Sequence, residues 1–177
     1  MQNAGAMRQR ELPDTLGTVN LVAQVFYEAV PLDLRTHCSL TARVAASVLQ
    51  RLGIECGLLP CQLWYASPVH NLVVGFAGHA GAQQWDGHVV CAGRNWLMDT
   101  ALHHLQRNAG IDVPDVAVVK RFALPAQVIA RRDLSASERL WWYNPPPGAD
   151  ATPCEERADT VRRFADAVLG KLALVAH

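Results

Sequence analysis

The chain contains no run of about 18 or more apolar residues, so nothing in it reads as a membrane-spanning helix. It carries no net charge, with 16 Lys and Arg against 16 Asp and Glu. The basic residues are scattered rather than gathered in a stripe, so nucleic acid is not an expected partner. It lacks a disulfide framework: five cysteines, at 38, 56, 61, 91 and 154, are odd in number and irregular in spacing. Such thiols stay free in a reducing compartment. No phosphate-cradling loop is present, because Gly78-His79-Ala80-Gly81 has too few glycines and no lysine, and no HExxH spacing marks a catalytic metal. Residues 1–13 are polar and lack the apolar centre of a signal peptide. They read as part of a flexible lead-in over 1–14, and the expected compartment is the cytoplasm.

What remains is a globular composition. The chain has 177 residues, half of them apolar and 18% charged. That suits one domain, over 15–177, with a core of its own. Apolar residues recur at a helical period over 15–30, ended by Pro31. A second helix is expected over 36–52, capped near Thr36, striped with Leu40, Val44, Val48 and Leu49, and stopped by Gly53. From Ile54 the period changes. Short apolar or alternating runs at 58–65, 69–76, 83–91 and 96–99 are separated by turn residues and predict an antiparallel meander. Helices first and strands after, without βαβ alternation, predict an α+β fold with the sheet packed on the Cys38 helix. Further on, the pattern predicts a short helix at 101–110, a strand at 115–122 and an amphipathic helix at 157–175. Ser135 has the character of a cap for a segment carrying Leu140, Trp141, Trp142 and Tyr143, after which three prolines force an extended loop.

Among the cysteines, Cys38 has the most telling position. In the first turn of the second helix, free backbone N–H groups and the positive end of the helix dipole favour a thiolate and can hold an oxyanion. Fifty positions on, His88 and Asp99 flank a short turn. A turn centred on Gly93-Arg94 sets Val90 opposite Leu97 and His88 opposite Asp99, on one face of a hairpin. The carboxylate then orients the imidazole, and the other ring nitrogen is left for the thiol. A slip of one residue would place the two on opposite faces. His70 and Asp86 form a rival pair across the longer loop around Gly78. His79 sits in that loop, His103 and His104 suit a helix surface, and His37 would project away from Cys38 if the helix has begun by that point.

Cys38, Ala42, Leu49 and Gly53-Ile54, with His88 and then Trp96-Leu97-Met98-Asp99-Thr100, resemble the pattern of the transglutaminase-like superfamily, over roughly 35–102. That superfamily includes bacterial transglutaminase-like proteases and the arylamine N-acetyltransferases. The resemblance implies a papain-like α+β core with Cys38 as nucleophile, His88 as base and Asp99 as orienting group, and no cofactor. Ahead of the cysteine the chain reads Leu34-Arg35-Thr36-His37, without the paired glycines and arginine of the acetyltransferases. That argues against arylamine acetylation in particular.

The expected activity is cysteine-dependent acyl transfer on an amide or thioester, as hydrolysis, deamidation or transamidation. The substrate would be a small molecule or a protein side chain, and neither nucleic acid nor membrane is an expected partner. Trp141 and Trp142, beside the proline run, are expected to wall the substrate cleft. Two alternatives belong to other classes. One is a non-catalytic binding domain that keeps the fold. The other is a zinc protein using sheet residues such as Cys56 and Cys61, or His70, His79 and His88.

Overall fold

The computed structural model describes residues 15–78, 85–122 and 127–175. The expectations for residues 1–14, for the loop at 79–81 and for the start of the 83–91 strand at 83–84 fall outside these. Helix α1 (Thr15–Ala29) buries Val19, Val22, Val25 and Phe26, one face at helical spacing. A 3-10 turn (Leu32–Thr36) leads into α2 (Cys38–Arg51). The residue flanking α2 at its start is His37, not Thr36, and its side chain makes no capping hydrogen bond. At the other end Gly53 takes φ +80°, with Gly53 N–H on the Gln50 carbonyl and Ile54 N–H on the Leu49 carbonyl. This paired closure needs a left-handed residue at its centre, which is why glycine stands there. Helix α4 (Ala158–Val175) packs on both α1 and α2. Buried α2 residues such as Val44, Val48 and Leu49 each contribute about 1.5–3 kcal/mol, so this helix is firmly anchored.

The strands are β1 (Gly57–Ala66), β2 (Asn71–Val74), β3 (His88–Ala92), β4 (Trp96–Asp99), β5 (Ala117–Lys120), β6 (Val128–Asp133) and β7 (Arg139–Tyr143), with α3 (His103–Ala109) between β4 and β5. They form an antiparallel sheet in the order β5-β4-β3-β1-β7-β6, and β2 lies against β1. A bridge between Arg121 and Ala130 brings the two ends together, so the sheet is nearly closed. The fold is α+β.

The strand order is not a meander, because β3 pairs with the first half of β1 and β2 with the second. Two elements near the carboxyl end also differ from the sequence expectation. β6 has no counterpart in it. Ser135 caps no helix: it ties the tight turn into β7, with its hydroxyl on Glu138 at 2.9 Å. β7 alternates, Leu140 and Trp142 fully buried and Trp141 and Tyr143 half-buried, as a strand in a closing sheet must.

That alternation divides the apolar interior in two. Cys91, Trp96 and Met98 face the helices. Val90, Ala92, Leu97, Leu140 and Trp142 face the enclosed side of the sheet. By strand parity His88 and Asp99 belong to the enclosed side, close to the start of α2.

Candidate functional site

The hairpin joining β3 and β4 is not registered as the turn residues suggest. Cys91 pairs with Met98 and Ala92 with Leu97, so the turn centres on Arg94-Asn95. Continuing that register puts Val90, not His88, opposite Asp99. The slip is two residues, and a two-residue slip keeps every side chain on its face. His88 and Asp99 are therefore diagonal neighbours, still within reach of one another. His88 Nε2 lies 2.8 Å from Asp99 Oδ2, with both side chains fully buried.

Asp99 is held by three donors. Besides His88, the Trp142 indole N–H donates to Oδ2 at 2.7 Å and the Ala101 backbone N–H to Oδ1 at 2.9 Å. Burial alone would raise the carboxyl pKa, but the His88 charge and these hydrogen bonds hold it below the usual range. An ionised carboxylate only accepts, so the proton of the His88–Asp99 bond sits on Nε2. Burial likewise opposes a charged His88 ring. Asp99, by charge and hydrogen bond, and then Cys38 outweigh it and lift the ring to about 10. The remaining nitrogen, Nδ1, is buried and has no hydrogen-bond partner of normal geometry. Cys38 also acts on that ring and favours its charged form.

Cys38 opens α2 and is partly exposed. Its thiol makes a long contact of 3.9 Å with the carbonyl of Gly87, the residue before His88. The first intrahelical bond runs from Thr41 N–H to the His37 carbonyl, so the N–H groups of Cys38, Ser39 and Leu40 have no acceptor within the helix. Cys38, His88 and Asp99 thus meet at one place, in the order the sequence suggests. Cys61 is directly opposite His88 across β1 and β3. Burial, with Asp99 and Cys38 adding to it, keeps the Cys61 thiol well above its ordinary pKa.

Several positioning residues carry no sequence motif. Thr100 donates its hydroxyl to Thr41 at 2.8 Å, and Thr41 donates to the His37 carbonyl at 3.1 Å. Tyr27 donates to the Thr100 carbonyl. This buried chain ties the strand of Asp99 to the residue just before Cys38. Gly75, at φ +83°, lies against His88: a Cβ there would sit 2.6 Å from the His88 backbone nitrogen. Its carbonyl and that of Phe76 accept from Gln62 at 3.1 and 3.3 Å.

Other expectations change. Trp142 is fully buried and serves Asp99, so it walls no open cleft. Trp141 points to the other side of β7, where the Arg131 guanidinium covers its ring at 5.5 Å. His70 is exposed in the turn after Ser67, and Asp86 instead accepts from the Gly78 N–H at 2.5 Å, so the rival pair does not form. Among the described residues no three His, Cys, Asp or Glu side chains gather as metal ligands. Nor is any described helix long and apolar enough to cross a membrane. Compared with known protein families, curated proteins and solved structures, the chain finds no match.

Proposed function

We propose that the protein is a cysteine acyl-transfer enzyme of transglutaminase-like, papain-like type, with Cys38 as nucleophile, His88 as base and acid, and Asp99 as the group that orients and charges His88. The observation that carries this reading is the buried His88–Asp99 pair at 2.8 Å, with Nδ1 left over beside a cysteine at a helix start. A structural histidine has no need of a buried carboxylate with three donors.

Cys38 Sγ attacks the carbonyl carbon of an amide or thioester, and its proton resides on His88 Nδ1. The carbonyl π pair moves to oxygen, where N–H groups at the start of α2 can receive it. Collapse expels the amine or thiol, which takes the proton from His88, and leaves a thioester on Cys38. Water or an amine then attacks that thioester, giving its proton to Nδ1. The carboxylic acid or new amide leaves and Cys38 is restored with its proton again on His88 Nδ1. Throughout, Asp99 stays ionised and balances the imidazolium. The free thiols of all five cysteines suit the cytoplasm as the place of action.

Iodoacetamide labelling, read cysteine by cysteine against pH, tests the nucleophile. Cys38 should outpace the exposed Cys154 below pH 7, and His88→Ala should remove that advantage. Equal rates at the two cysteines would remove the enzyme reading and leave a non-catalytic binding domain.

A further inference from the structure

Cys56 and Cys91 meet on the side of the sheet that faces the helices. β1 and β3 run antiparallel with Gly57 opposite Ala92 and Leu58 opposite Cys91. Cys56 stands two positions before Leu58, so by strand parity it shares that face and lies diagonal to Cys91. The packing agrees: Cys91 belongs to the core between sheet and helices, and Cys56 and Leu58 pack against that core. The two thiols are hydrogen-bonded to each other. The Cys56 thiol also points its hydrogen at the Ala46 carbonyl of α2, at 3.7 Å. A thiol has one hydrogen, so Cys91 is the donor in the thiol–thiol bond.

The two cysteines differ in access. Cys56 is half-buried and lines an open groove of about 890 Å3, together with Gly53, Glu55, Asn95 and Arg121. Cys91 has no exposed surface. They differ in thiol chemistry as well. The hydrogen bond from Cys91 holds Cys56 below the usual thiol pKa, against the opposing effect of burial. The same bond, and then burial, raises Cys91 far above it. A thiolate-forming sulfur thus stands at the groove, and a protonated sulfur lies directly behind it.

We propose that Cys56 and Cys91 are a redox-active dithiol, oxidised reversibly to a disulfide by hydrogen peroxide and separate from the Cys38 site. Cys56 thiolate attacks one peroxide oxygen, the O–O bond breaks, and the departing hydroxide takes a proton to become water. Cys56 is left as a sulfenic acid. The Cys91 sulfur then attacks the Cys56 sulfur. The S–S bond forms, the S–O bond breaks, and the hydroxyl leaves with the Cys91 proton as a second water. The two thiols lose two electrons together and the peroxide gains them. Contact between the sulfurs must shorten to a bond of about 2.05 Å, which calls for some movement. Cys56 can supply it, because β1 begins at Gly57 and Cys56 lies one residue outside the ladder with β3. The bridge ties β1 to β3, the strand that opens with His88. In a reducing compartment such a bond is transient and signals oxidation, as cytosolic disulfides usually do.

Peptide mapping of the full chain, without reduction, tests this. The reduced protein is treated with a modest excess of hydrogen peroxide near pH 7, and remaining thiols are blocked with N-ethylmaleimide. A Cys56–Cys91 link, lighter by two hydrogens, should be the first intramolecular disulfide to appear, and dithiothreitol should remove it. In Cys91→Ala the sulfenic acid should persist on Cys56, where dimedone traps it. In Cys56→Ser, Cys91 should stay reduced. The same treatment in urea serves as the reference for an unfolded chain and needs no altered protein. A folded chain whose links match those formed in urea would overturn the inference. So would a first link between Cys38 and Cys61, or Cys56 and Cys91 still reduced once Cys154 has oxidised. None of these results bears on Cys38 as nucleophile.

Discussion

Trp142 donates its indole N–H to Asp99 Oδ2 at 2.7 Å, sharing that oxygen with His88. The residue that completes the buried pair thus comes from β7, more than forty positions after Asp99. It arrives there because the sheet curls until its ends meet. Trp142→Phe keeps the ring and removes the donor. Stability should fall by about 1–3 kcal/mol in urea unfolding. With one donor fewer the Asp99 carboxylate is held less firmly, so the acid limb of Cys38 labelling should move to higher pH. A variant unchanged in both would contradict the role given to Trp142.

The same pair sets a pH dependence of stability. The folded pKa of His88, about 10, lies above its unfolded value near 6.5. Its contribution is fully present below about pH 6.5 and is lost as pH rises through about 10. Asp99 acts on the acid side: its pKa is depressed, so its contribution is present above about 3.9 and is lost as pH falls through the folded value. Above about 8.5 the thiols also titrate, and the buried Cys61 and Cys91 then erode stability in the same direction, whereas Cys56, lowered by its hydrogen bond with Cys91, adds stability as pH rises toward 8.5 and partly offsets the His88 slope. His104, lowered by burial, acts below the window between. From about pH 6.5 to 8.5, then, unfolding free energy should decline by up to about 1.4 kcal/mol per pH unit. Urea midpoints across that range should flatten in His88→Gln; a slope that survives the substitution would assign it elsewhere.

The hydroxyl chain from Thr100 through Thr41 to the His37 carbonyl registers the helix that opens with Cys38 against the strand of Asp99. Thr41→Val and Thr100→Val keep the shape and break the chain. Misplacement on the scale of an ångström carries about a hundredfold penalty in rate. Cys38 alkylation near pH 7 should therefore slow by about 10- to 100-fold, while Thr41→Ser retains the wild-type rate. A folded Thr41→Val protein that labels as fast as wild type would make the chain merely structural.

Cys38, His88 and Asp99 were legible in the sequence for a reason the register makes plain. Face assignment in a strand depends only on parity, so misplacing the turn by one residue, which shifts the register by two, left His88 and Asp99 together. The cysteine at the head of a striped helix was legible because Val44, Val48 and Leu49 repeat at helical spacing and Gly53 stops them. Beyond that, local pattern was insufficient. β6 contains Arg131, Arg132 and Asp133, charges that mask a strand whose Ile129 and Ala130 are buried. Ser135 resembles a helix cap because a capping hydroxyl and a turn hydroxyl satisfy the same backbone and carboxylate groups. The function of Trp142 depends on closure of the sheet, a long-range fact that no local periodicity encodes.

The most direct test of the central claim is intact-mass analysis of the full chain mixed with p-nitrophenyl acetate, with the modified residue located by peptide mapping. A single acetyl group should appear on Cys38, decay by hydrolysis, and build up far more slowly in His88→Ala and Asp99→Asn. Acetylation of Cys154 or lysines alone, with Cys38 untouched, would contradict the assignment of Cys38, His88 and Asp99 as one catalytic unit.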